Sequence, residues 1–107
     1  MIRHCVFIRF NEEASVEHRQ ALFSQLAALQ SRLNGISAFH AGINVSPETG
    51  MDHGFADGFM IDFDTAEDRD AYLADEEHQA IGAQLVQSAE GGTAGILVFD
   101  MDIADGV

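Results

Sequence analysis

Apolar residues in this chain change their spacing in a definite order, and that order limits the fold more tightly than any composition. Residues 2–10 are β-branched and aromatic and alternate as a strand does. Ile2, His4, Val6, Ile8 and Phe10 share one face, and Arg3, Cys5, Phe7 and Arg9 share the other. After the turn Asn11–Ala14, Ser15 is placed to cap a helix whose apolar stripe is Leu22, Leu26, Leu29 and Leu33, widened by Phe23. Gly35 supplies a left-handed stop. Residues 36–45 form a second strand, diluted by Ala38, Ala41 and Gly42, and Pro47, Gly50 and Gly54 mark a loop. A third strand at 55–63 carries Phe55, Asp57, Phe59, Ile61 and Phe63 on one face. Asp64 or Thr65 then caps a helical region bearing Tyr72, Ile81, Leu85 and Val86, broken near Asp75–Glu77 and ended by Gly91 and Gly92. Residues 94–101 close the chain as a fourth strand.

This β-α-β-β-α-β order is the split, ferredoxin-like arrangement of the α+β class. Its four-stranded antiparallel sheet has helices on one face only. Yet the other faces of the strands carry Cys5, Phe7, Phe39, Ile43, Met60, Leu97, Phe99 and Met101. A sheet apolar on both sides needs cover on both, and a second copy of the chain is the simplest source. A homodimer is therefore expected, and the 107 residues are read as a single domain.

Charge and residue usage exclude several functions. Eighteen acidic against five basic residues give a net charge of −13, and all five cations are arginine. Nucleic acid and anionic membrane surfaces are poor partners for such a chain. Without lysine there is no Schiff-base chemistry and no phosphate-loop lysine. The lone Cys5 allows no intramolecular disulfide and no multi-thiolate zinc site, and its apolar strand setting reads as structural. The acidic run from Asp62 to Glu77 lacks the calcium-loop pattern and reads as a solvated helix face. No metal or cofactor is expected. The start of the chain lacks a secretory pattern and no apolar run approaches the ~18 residues of a membrane span, so a cytoplasmic location is the expectation.

Several segments together resemble the stress-responsive A/B barrel domain family, of the dimeric α/β-barrel superfamily. These are Ile2-Arg3-His4 leading to Ile8-Arg9-Phe10, the turn Gly42-Ile43-Asn44-Val45-Ser46, the strand Gly54–Phe63, Tyr72 followed by His78, and the ending Val98-Phe99-Asp100. The resemblance covers roughly residues 2–100 and implies two copies closing into an α/β barrel. Some members are stress-associated without an assigned reaction; some plant members are cofactor-free polyketide cyclases. Where the family often has His-Pro-x-His, this chain reads Asp75-Glu76-Glu77-His78, and Asp57-Gly58 stands where cyclase-like relatives place another polar ring.

The candidate site comprises His78, Tyr72, His4 and Asp57. His4 and Asp57 share the helix-side face of the sheet, and the resemblance pairs Tyr72 with His78 above them. Convergence would put them in a pocket between helices and sheet, open to a small aromatic or carbonyl ligand. Histidine is the natural general base near neutral pH, and a tyrosine hydroxyl can hold an enolate oxygen. Proton abstraction beside a carbonyl, or an aldol-type ring closure with His78 as base, would need no more. A small monooxygenase of the same superfamily is a further enzymatic alternative. The competing reading makes the histidines hydrogen-bonded structural residues and the dimer a scaffold. His53 is read as exposed, and His18 and His40 as lacking a ligand-like partner.

Overall fold

The computed structural model describes residues 1–104. The strands are β1 (Ile2–Ile8), β2 (Ile36–Ile43), β3 (Asp57–Phe63) and β4 (Ile96–Asp102), and the helices are α1 (Val16–Ala28), α2 (Ala66–Ala74) and α3 (Glu76–Ser88). They run in the expected order and form one antiparallel sheet ordered β2-β3-β1-β4.

Local chemistry accounts for the element ends. Ser15 Oγ accepts from His18 N at 3.1 Å, and Thr65 rather than Asp64 caps α2, accepting from Asp68 N. The first strand stops at Ile8, two residues earlier than its pattern suggests; Phe10 pairs only with Ala89 across an isolated bridge. Phe55 lies before β3. After α1 a 3-10 turn (Leu29–Ser31) leads to Gly35, whose φ of 81° and close approach to Asp68 exclude a side chain.

Helices and sheet enclose Val6, Ile8, Leu22, Leu26, Leu29, Phe59, Ile61, Phe63, Ile81 and Leu85. Full burial of each large apolar side chain stabilises by ~1.5–3 kcal/mol, so this layer dominates the fold's energetics. Strand β2 departs from the expected phase. A register shift between Ile36 and Ala38 puts both Ile36 and Phe39 on the helix side, opposite Phe63 and Ile61. There Phe39 stacks on Phe59 at 5.8 Å, and Ile43 shares that side. Both therefore leave the set of residues assigned to the opposite face. What remains on that free face is Cys5, Phe7, Met60, Leu97, Phe99 and Met101. Its outer members Leu97, Phe99 and Met101 are about half exposed (47%, 56% and 47%). An apolar sheet face this open is uncommon on a solitary domain.

Candidate functional site

The site is built on the break between α2 and α3. Asp75 ends α2 with an extended backbone and caps α3, accepting from His78 N at 3.0 Å. Its carboxylate also receives both Arg32 guanidinium nitrogens, at 2.9 and 2.6 Å. Those arginine bonds, then the His78 N–H, hold the Asp75 carboxyl down at about 2. Asp75 thus makes this corner by capping and ion pairing.

This corner turns the end of α2 and the start of α3 toward each other. Tyr72 and His78 meet with ring centroids 4.0 Å apart. Tyr72 is completely buried, its hydroxyl has no hydrogen-bond partner, and burial pushes its ionisation well above the usual range. His78 is half-buried, and its Nδ1 is likewise buried without a partner. Burial first, and the neighbouring His4 second, lower the pKa of His78 from its ordinary value of 6.5. Buried polar atoms almost always find a partner, so two orphans in one contact require an explanation.

His4 reaches the same cluster from β1, its ring 5.8 Å from Tyr72 and 6.2 Å from Phe63. Its Nδ1 lies 2.6 Å from Asp100 Oδ1 on the adjacent strand, and Asp100 Oδ2 accepts from Arg69 of α2 at 3.0 Å. Neither Asp100 nor Arg69 was among the candidates read from sequence. The contact spans 96 positions, and only the β1–β4 register places His4 opposite Asp100.

Asp57 does not join this group. It faces Ile8, whereas His4 faces Ile61, four residues further along β3 and roughly 13 Å away at the usual strand rise. Its carboxylate instead pairs with Arg19 at 3.3 Å, and Arg19 also donates to the Ala14 carbonyl and lies over the Phe10 ring. His18 has a partner that its sequence surroundings did not reveal, Ser88 Oγ at 2.8 Å. Because Ser88 donates to the Gln84 carbonyl, His18 must donate to Ser88, which ties α1 to α3 and leaves no activated nucleophile. Cys5 is buried and its thiol is pushed up by that burial. Among the described residues no cluster of His, Cys, Asp and Glu could hold a metal ion.

A concavity of about 660 Å³ lies on the free face of the sheet under the 44–56 loop. It is lined by Phe7, His40, Met60 and Leu97 among others, with Asp57 at its border, and excludes His4, Tyr72 and His78. Arg9 anchors its loop wall, donating to the His53 carbonyl at 2.9 Å and lying over the Phe55 ring. Three of the four expected side chains therefore converge as a tightly packed cluster between helices and sheet, while the open volume is on the other side.

Comparison with known proteins places this geometry. A dimeric ferredoxin-like protein of unknown function from Jannaschia sp. CCS1 is 28% identical, with 95% of this chain and 98% of that one covered and a TM-score of 0.88. A protein from Arabidopsis thaliana (23% identity, coverage 100% and 99%, TM-score 0.86) shares the fold. So does the hydroxynitrile lyase of Passiflora edulis (17% identity, coverage 99% and 95%, TM-score 0.83). In sequence, no curated protein matches the chain. The sequence signature of the stress responsive A/B barrel domain matches residues 2–103. The chain belongs to the stress responsive A/B barrel domain family.

Proposed function

We propose that this protein is a homodimer that binds a small aromatic or carbonyl compound at the Tyr72–His78 pair. The observation that carries the reading is the pair of orphaned buried atoms, Tyr72 OH and His78 Nδ1, on rings 4.0 Å apart. Leaving a buried polar group unpaired costs ~1–3 kcal/mol, and a ligand oxygen placed between the two would recover that cost. The aromatic walls Phe59 and Phe63 suit a planar, mostly apolar ligand with one polar edge. Tyr72 is fully buried, so binding requires the α2–α3 corner to part from the sheet.

Assembly rests on the free face. Phe7, Leu97, Phe99 and Met101 form an apolar surface that a second copy would cover, sheet against sheet. The relative of known structure described as a dimeric ferredoxin-like protein supports a homodimer.

The test is titration of histidine-labelled protein with hydroxyaromatic and β-dicarbonyl compounds, followed by NMR. The expected result is a saturable shift of the His78 ring resonances by at least one compound, weakened in Tyr72→Phe. If the whole panel leaves His78 unmoved, the ligand reading is wrong and the dimer is a scaffold.

A second, catalytic reading is favoured by the lowered pKa of His78, which keeps its imidazole neutral and able to take a proton at neutral pH. On that reading a binder is also turned over, by cofactor-free proton abstraction or ring closure. His78→Ala then lowers turnover by ~10²–10⁴-fold.

A further inference from the structure

The three polar side chains of the cluster are not held alike. His78 is fixed through its backbone N–H, while its ring lies against Tyr72 and beside the Leu73 backbone, with no charged group bonded to it. His4 is fixed through the ring itself. Asp100 is anchored by Arg69 at 3.0 Å and accepts from His4 Nδ1 at 2.6 Å. An ionised carboxylate can only accept, so Nδ1 must carry the proton, and Nε2 of the neutral ring is left with a bare lone pair. No hydrogen bond reaches that Nε2 among the described residues. Arg69 and Tyr72 are three positions apart on α2, so the arm that secures Asp100 also seats Tyr72 against His4.

We infer that Asp100 and Arg69 are positioning residues that fix the tautomer of His4 and present its Nε2 as a second, oriented proton acceptor of this site. A base held in one tautomer by an anchored carboxylate is the arrangement general-base chemistry uses repeatedly. The inference rests on the site proposed above. In the step it supports, a hydroxyl or an activated C–H of the ligand loses its proton to His4 Nε2 and keeps the bonding electron pair. The imidazolium so formed is balanced by Asp100, and no oxidant or further reactant enters. The charged and titratable groups around His4 are Asp100 from β4, Arg69 and Tyr72 from α2, and His78 from α3; β3 contributes only the apolar side chains of Phe59, Ile61 and Phe63.

The test is nitrogen NMR of the His4 ring at a pH where it is neutral. In the wild type Nδ1 should be protonated and Nε2 bare. Asp100→Asn should lose that preference, because the new amide can donate to Nδ1. Arg69→Gln, at the solvent end of the arm, should lose the protection of the Nδ1 proton from exchange with water. A wild-type ring protonated on Nε2 overturns the inference, as does an Asp100→Asn protein with an unchanged tautomer. Should Asp100→Asn fail to fold, unchanged Nδ1 protection in Arg69→Gln overturns it instead. None of these spectra involves a ligand, so a negative ligand titration counts against the binding site alone.

Discussion

Replacing Tyr72 by Phe should make the protein more stable, the reverse of what removing a core hydroxyl usually does. The Tyr72 ring is fully buried and contacts Phe63, His4 and His78, and every one of those contacts survives in Phe. What the substitution deletes is one hydroxyl without a partner. An unsatisfied buried hydroxyl costs ~1–3 kcal/mol, and the small void left behind returns part of that, so the net gain should be about 1 kcal/mol. For a domain near this size, that raises Tm by roughly 4–8 °C. The assay is thermal unfolding of both proteins at one matched protein concentration, since a dimer's Tm depends on it. A Tm that is unchanged or lower refutes the reasoning: the hydroxyl would then be hydrogen-bonded in solution, for instance to an ordered water. A higher Tm together with weakened ligand binding would show a side chain retained at a cost in stability for the sake of the site.

Leu97→Asp puts a carboxylate on the apolar free face; sedimentation should change from twice the chain mass toward the monomer, and a dimer indifferent to it would place the interface elsewhere. Cys5 is buried with a raised thiol pKa, so alkylation should be slow in the native protein and fast after denaturation. His78 is protonated less readily folded than unfolded, so the unfolded chain binds more protons just below pH 6.5. Stability should therefore be fully present above about pH 6.5 and fall as the pH drops through the lowered folded value, and His78→Gln should flatten that part of the profile in chemical denaturation.

What the sequence alone determined is whatever depends on near neighbours. Strand alternation in residues 2–8 and 57–63, the Leu22–Leu26–Leu29 stripe, the Ser15 cap and the break near Asp75 are all set within a few positions, because cap bonds and side-chain periodicity act over one turn or one pleat. The burial of Cys5 follows from its apolar strand setting, while the meeting of Tyr72 with His78 across a single helix break was expected from the family resemblance. Tertiary structure decided everything that needed a register. One irregularity between Ile36 and Ala38 moved Phe39 and Ile43 to the helix side, where strict alternation from a straight strand had put them on the other. Asp57 was read correctly as facing the helices, yet distance along β3 separated it from His4 and gave it to Arg19. The partners of His4 came from β4 and α2, far along the chain, and were settled only when antiparallel pairing set Asp100 beside it. Spacing in sequence records which face a side chain takes; how far along that face it stands, and opposite what, is determined by strands pairing over long distances.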